Sequence, residues 1–245
     1  MALLEAKNLT HIFPDSTIGI NDISLKIYPG EFVIIAGANG SGKTVFVRHL
    51  NGLLTPTKGS VLLDGEPISK NITAARKRVG LIFQDSHSQI VGQTVAEDVA
   101  FGPENLNLPR SQVEETVTQA LAATGLLDLA AKSPHALSGG QKRKLAIAGV
   151  LAMKPDIIIL DEPFTGLDYS GVIQIIRQML TMHQAGHTIM LITHELEKVL
   201  AHATRLILFF NGRLAEDGQP KEVITYAEKY DIRKPLQAGE ATWLK

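Results

Sequence analysis

At 245 residues the chain is long enough for one large domain with a substantial core, and length alone also permits two small ones. Its 24 basic and 25 acidic residues leave a formal net charge of -1, so no global field recruits nucleic acid, which is not an expected partner. There is no cysteine, which excludes disulfides and Cys-ligated zinc and is compatible with a reducing compartment.

Met1-Ala2-Leu3-Leu4-Glu5-Ala6-Lys7 carries acid and base too early for a secretory signal, so none is expected. Ile23, Leu25 and Ile27 alternate with Ser24 and Lys26, and Ser60-Val61-Leu62-Leu63 runs into Asp64-Gly65. Both patterns predict half-exposed antiparallel strands, with a hairpin turn at 64–65, in a smaller sheet beside the main one. Short β-branched runs at 33–36, 79–83, 157–160 and 189–193 read as strands buried on both faces, as a parallel α/β sheet requires. The longest apolar runs, such as 157–160 and 206–210, fall far short of the roughly 20 residues that span a bilayer.

The first motif follows the run at 33–36. Gly37-Ala38-Asn39-Gly40-Ser41-Gly42-Lys43-Thr44 has the G-x-x-x-x-G-K-T form of a phosphate-binding loop. Its glycines let consecutive N–H groups turn inward around phosphate oxygens, where a Cβ would block approach. Lys43 is placed to reach the β and γ phosphates, Thr44 to ligate magnesium, and the helix starting near Lys43 to add its positive dipole. A bare glycine turn joining strand to helix would look similar, but strand, loop and helix occur here in the order the mechanism needs.

Val113, Val117, Ala120, Leu121 and Thr124 recur at helical spacing. Ser111 and Glu114 form a capping-box pattern at the start of that helix, and Gly125 ends it. The helix lies between the phosphate loop and the strand at 157–160, so the middle of the chain reads as a helical insertion. Leu137-Ser138-Gly139-Gly140-Gln141 opens a further helix, predicted over 141–153, whose glycine amides form an anion site in their own right. Lys142-Arg143-Lys144 reads as its solvated start.

Asp161-Glu162 follows the strand at 157–160. Beside a complete phosphate loop, Asp161 is expected to hold the magnesium shell and Glu162 to orient or activate the attacking water. Val172, Ile176 and Met179 mark a later helix closed by Gly186. The histidines at 183, 187 and 202 have no carboxylate pattern to support ligation and read as surface or packing residues. Beyond about Tyr226 the pattern turns polar and irregular.

The phosphate loop together with Leu137-Ser138-Gly139-Gly140-Gln141 and Asp161-Glu162 resembles the ABC ATPases, over roughly residues 3–224. The resemblance implies an α/β P-loop NTPase core of the RecA-like type with a mainly parallel sheet. It also implies an N-terminal antiparallel β subdomain and a helical insertion subdomain. The domain would cover 1–225, with the helical part at about 86–153 and a short tail at 226–245. Enzymatically it implies a transport-coupled ATPase using ATP and Mg2+ as a head-to-tail dimer, in which Ser138, Gly139, Gly140 and Gln141 bind the γ phosphate held by the opposite subunit.

Further roles come with the resemblance alone. Gln84 would touch magnesium and water and link the ATP site to the helical subdomain. His194 would hydrogen-bond the γ phosphate, Asp168 in Thr165-Gly166-Leu167-Asp168 would communicate between the two sites, and Phe13 would stack on adenine. The expected catalytic set is thus Glu162, His194, Gln84 and Lys43, with Thr44, Gln84 and Asp161 around the metal.

Two stretches, Glu97-Asp98-Val99-Ala100-Phe101-Gly102-Pro103-Glu104-Asn105-Leu106 and Gln141-Lys142-Arg143-Lys144-Leu145-Ala146-Ile147-Ala148-Gly149, resemble the A component of energy-coupling factor transporters. Such assemblies import vitamins or cobalt and nickel ions. The partners implied are a second ATPase subunit, identical or paralogous, a transmembrane coupling protein and a small membrane protein that captures substrate. The implied location is the cytoplasmic face of the cell membrane. Tyr169 stands after Asp168 where proline is frequent in relatives, and the segment 85–89 lacks their Asn-Pro. An ATPase of a conventional ABC importer or exporter would keep the same catalytic residues. A soluble ABC ATPase acting on DNA or ribosomes predicts a coiled-coil insertion or basic arm that the sequence lacks, and a small-molecule P-loop kinase has no need of residues 137–141.

Overall fold

The structure, a computed structural model, describes residues 1–236 and 241–244. In chain order the strands are β1 (Leu4–Ile12), β2 (Ile18–Ile27), β3 (Phe32–Gly37), β4 (Lys58–Leu63), β5 (Glu66–Pro67), β6 (Val79–Ile82), β7 (Ile157–Asp161), β8 (Thr188–Ile192), β9 (Arg205–Phe210) and β10 (Arg213–Gly218). The helices are α1 (Lys43–Leu50), α2 (Ile72–Arg78), α3 (Val95–Asn105), α4 (Arg110–Thr124), α5 (Gly139–Leu151), α6 (Tyr169–Gln184) and α7 (Pro220–Val223).

Two sheets result. The smaller, in the order β2-β1-β4-β5, is antiparallel throughout, and the alternation at Ile23, Leu25 and Ile27 turns those side chains inward. The larger has the order β10-β9-β3-β8-β7-β6, with every pairing parallel except β10 against β9. The apolar run at 206–210 falls in β9, which pairs with β3.

Because successive side chains on a strand point to opposite faces, each central strand of the large sheet feeds two cores at once. Phe32, Ile34, Ile158, Leu160, Ile189 and Leu191 pack on one face with α5 and α6. Val33, Ile35, Ile157, Ile159, Met190 and Ile192 pack on the other with α1 and the small sheet. A continuous β-branched run is what such a two-faced position demands. A third apolar cluster joins α3, α4 and α5 through Val99, Val117, Leu121 and Leu145.

Helix boundaries differ from expectation at two places. The Ser111/Glu114 capping box does not form. Pro109 is the N-cap residue and α4 begins at Arg110, which puts Ser111 inside the first turn, where its backbone is already helical and cannot cap. Glu114 instead accepts from Arg110 Nε at 2.9 Å, one turn apart. The true capping boxes are Thr94 with Glu97 on α3 and Ser138 with Gln141 on α5. The latter starts α5 at Gly139, two residues before the predicted start. Gly125 ends α4 in the left-handed conformation, as expected. Residues 241–244 fold back on the large core, where Ala241 is buried and Trp243 and Leu244 pack beside it.

Candidate nucleotide site

Strand β3 delivers the chain to Gly37 at the carboxyl edge of the parallel sheet, and the loop re-enters helix at Lys43. Gly42 caps that helix at φ +97, and a Cβ there would lie 2.6 Å from the Gly19 carbonyl oxygen and 2.8 Å from Ile20 Cγ2 of β2. Only glycine tolerates both the angle and the approach. The loop is held from behind by Gly212 N–H donating to the Ser41 carbonyl at 3.1 Å. The Ser41 hydroxyl is buried without a protein partner.

Lys43 folds inward, its Nζ donating to the carbonyls of Gly37 at 2.8 Å and Ala38 at 3.0 Å. Burial pulls its pKa below the usual lysine value, while the nearby charges of Glu162 and Asp161 oppose that shift. Thr44 Oγ1 donates to Asp161 Oδ1 at 3.3 Å, joining the start of α1 to the end of β7. Burial raises the Asp161 carboxyl above its ordinary range, and the Thr44 hydrogen bond works against this. Two hard oxygen groups at the mouth of a phosphate loop suit a small divalent cation that takes its remaining ligands from phosphate and water.

Glu162 adopts φ +46, and its N–H donates to the Ile192 carbonyl at 2.9 Å, so the chain turns sharply between the ends of β7 and β8. That turn brings Glu162 Oε1 within 3.0 Å of His194 Nδ1, whereas Glu162 Oε2 is buried without a protein donor. A left-handed non-glycine residue costs on the order of 1–3 kcal/mol and concentrates at functional sites.

These groups converge on one cleft of about 420 Å³. Phe13, Asn39, Gly40, Ser41, Gly42, Lys43, Thr44, Gln84, Glu162 and His194 all line it, together with Thr165 from the motif that ends at Asp168 and with Thr17, Ile18, Gly19 and Val45, which no sequence motif singles out. Asp161 stands just behind, on Thr44. Phe13 is half-buried after β1, its ring edge-on to His11 at 4.7 Å between centroids.

Ser138, Gly139, Gly140, Gln141 and Asp168 do not line this cleft. Ser138 accepts from the Gln141 N–H at 3.3 Å and Gln141 Oε1 accepts from the Ser138 N–H at 2.9 Å, while Ser138 and Gly139 stand exposed. Asp168 is exposed and caps α6, accepting from the Gly171 N–H at 2.7 Å. His183, His187 and His202 are dispersed, each on a local oxygen: the Gly30 carbonyl, the Pro155 carbonyl and Thr242 Oγ1.

Arg143 corrects the reading of 142–144 as a solvated helix start. It is buried, at 5% exposure. Its Nη1 donates to the Phe83 carbonyl at 2.9 Å and its Nη2 approaches the Thr165 carbonyl at 3.5 Å. Burial lowers its pKa, and the charge of Asp85 opposes the shift. Its spacing of four and seven from buried Ile147 and Val150 is the one signal in the sequence that places it on the inner face of α5.

A phosphate loop on a parallel sheet, a carboxylate pair at the end of the next strand but one and a separately displayed Ser-Gly-Gly helix start define an ABC-type ATPase. Residues 20–165 match the ABC transporter family, and the chain belongs to it. It is 43% identical over 244 residues to the energy-coupling factor transporter ATP-binding protein EcfA of Methanocaldococcus jannaschii, covering 97% of this chain and 88% of that one. Among solved structures it is similar to CbiO1 from Clostridium perfringens, part of the ABC transporter complex cbiONQ. The TM-score is 0.82 and the identity 38%, over 95% of this chain and 94% of that one. It is also similar to a dimeric ATP-binding cassette in a post-hydrolysis state bound to ADP and Pi. There the TM-score is 0.78 and the identity 26%, over 88% of this chain and 98% of that one. The fold is therefore that of the ABC ATPases, and the enzyme is an ATPase of the transport-coupled class.

Proposed function

We propose that the chain is the ATP-hydrolysing subunit of an energy-coupling factor importer for a vitamin or transition-metal ion, at the cytoplasmic face of the membrane. No helix among the described residues is long and apolar enough to cross a membrane, so the pore belongs to partner proteins. In this reading one ABC ATPase domain spans about 1–225, with a helical subdomain at about 86–153 and a tail at 226–245. The observation that carries it is the division of the site: Lys43, Glu162 and His194 share one cleft, while Ser138, Gly139, Gly140 and Gln141 are displayed outside it. A second copy, or a paralogue, placed head to tail would bring that exposed helix start and Asp168 to the γ phosphate of ATP.

In the closed dimer, Phe13 stacks on the adenine and the amides of Asn39, Gly40, Ser41 and Gly42 surround the phosphates. Lys43 exchanges its two carbonyl partners for β and γ phosphate oxygens. Magnesium, held by Thr44 and Asp161 with Gln84 in its shell, would supply charge neutralisation between the β and γ phosphates. Glu162 keeps Oε2 as acceptor for the attacking water, and His194 is oriented by Oε1 to donate to the γ phosphate. Gln84 senses closure and passes it to the helical subdomain. There, a groove of about 600 Å³ between the subdomains, bordered by exposed Leu53, Val91 and Phe101, receives the membrane coupling protein. Closure on ATP and reopening after hydrolysis make a two-state switch biased by nucleotide.

The absence of native cysteine makes the dimer directly testable. Asn39→Cys with Ser138→Cys, in a Glu162→Gln background, should form an intermolecular disulfide that depends on ATP. No bond with ATP present, either with itself or with a paralogue, rejects the head-to-tail site. Copurification from native membranes separates the transporter branches. A coupling protein with a small capture protein supports the importer proposed, whereas a conventional permease pair moves the chain to that class.

A further inference from the structure

Residues 241–244 lie along the segment that follows His194. Trp243 N–H donates to the Lys198 carbonyl at 3.0 Å, Ala201 N–H donates to the Ala241 carbonyl at 3.0 Å, and His202 Nε2 lies 2.8 Å from Thr242 Oγ1. Lys198 is 6% exposed, an unusual place for a lysine. Its ammonium lies 4.6 Å from the Trp243 ring centroid and 5.4 Å from that of Phe164, and it is ion-paired with Glu195. The other side of the contact continues through Trp243 to the Tyr169 ring, 5.4 Å between centroids.

The cluster adjoins three residues to which the proposed function gives a role. Phe164 is two residues beyond Glu162, Tyr169 follows Asp168, and Glu195 follows His194. We propose that Lys198 and Trp243 are positioning residues, a cation held between aromatic faces that fixes the loops of Glu162, Asp168 and His194 relative to one another. The inference rests on the roles given above to those three residues. A buried ammonium is held in place by its ion pair and by two ring faces. If either partner is lost, the segment from Glu162 to Asp168 and the loop of His194 lose a tie that supplements the Glu162 bonds to Ile192 and His194. The phosphate loop is anchored elsewhere, on β2 and Gly212, so ATP affinity does not depend on the cluster.

The test compares Trp243→Ala, Trp243→Phe and Lys198→Met in the full chain assembled with its membrane partners. Turnover, ATP affinity and thermal unfolding are measured on each. Trp243→Ala and Lys198→Met should each lower kcat by about tenfold with ATP affinity unchanged, the size expected when a cation–π contact that holds geometry is removed. Trp243→Phe should recover most of the loss, because it keeps a ring face, and the double variant should be no worse than either single one. Wild-type kcat in Trp243→Ala overturns the proposal. So does a parallel fall of kcat, ATP affinity and unfolding temperature that phenylalanine does not rescue. His194→Ala, run alongside, separates the two readings. If it retains turnover, the role of His194 itself fails, whereas an inactive His194→Ala beside a fully active Trp243→Ala removes only the positioning cluster.

Discussion

Arg143 on α5 donates to the carbonyl of Phe83, the residue before Gln84, at 2.9 Å. The helix that opens on the displayed Ser138-Gly139 turn is thereby tied to the loop that lines the nucleotide cleft. The same guanidinium reaches toward Thr165, between Glu162 and Asp168. A buried group that binds two loops by their backbones makes helix and cleft move as a unit.

Arg143→Met keeps the apolar stem and strips both carbonyls of their donor. It should cost about 1 kcal/mol of stability, the low end of the range for an acceptor left unpaired, because Phe83 is only half-buried and Thr165 is exposed. Arg143→Lys, with a single point of donation, should recover only part of this. Urea unfolding measures the difference, and a methionine variant as stable as the parent would sink the account.

Glu162→Gln keeps the shape of the side chain and its contact with His194 but removes the basic oxygen pair. Turnover should fall by about 100-fold or more while ATP still binds. The trapped closed dimer should appear in size-exclusion chromatography with light scattering when ATP is present. Unchanged hydrolysis would remove Glu162 from the water-activating role.

Asp161 carries a pH signature. Burial holds its carboxyl above the ordinary value in the folded state, so the fold binds this proton more readily than the unfolded chain does. The ionised carboxylate therefore subtracts stability once the pH exceeds the folded-state value, and the penalty disappears below the unfolded value of about 4. Without nucleotide, Asp161→Asn should unfold at a higher temperature than the parent at pH 7, with the gap closing as the pH falls toward about 4. The same variant should lose magnesium-dependent turnover. Calorimetry across that pH range that finds a constant gap, or none, contradicts the burial argument.

The loop glycines should differ in sensitivity. Gly40 has φ +79 but open space where a methyl would point, whereas Gly42 combines φ +97 with β2 at 2.6 Å. Gly40→Ala should cost about 1 kcal/mol from backbone strain alone, and Gly42→Ala should exceed it by roughly 2 kcal/mol or more, because the neighbouring strand must also shift. Denaturant midpoints of the two variants check the order, and equal losses would mean that contact with β2 is immaterial.

Much of the fold is legible in the sequence because the signal is local. Strands that feed two cores must be apolar at every position, so the runs at 33–36 and 157–160 stand out without any knowledge of neighbours. The phosphate loop is similarly self-contained: glycine spacing, lysine and threonine lie within eight consecutive residues. The capping pattern at Ser111 misleads because Pro109, two residues earlier, starts the helix first. Arg143 misleads because a basic triplet looks solvated unless the packing around α5 is known.

The residue types that bind phosphate and metal, and the class of sheet that carries them, were determined by the sequence alone, since each depends on neighbours in the chain. Tertiary structure decided which of those residues share a cleft: it set Glu162 against His194 across 32 positions and left Ser138 outside. It also laid Trp243 on Lys198 beside the loops of the site. Contacts at such separations arise from sheet order and from the burial of facing surfaces, and neither leaves a periodic mark in the local sequence.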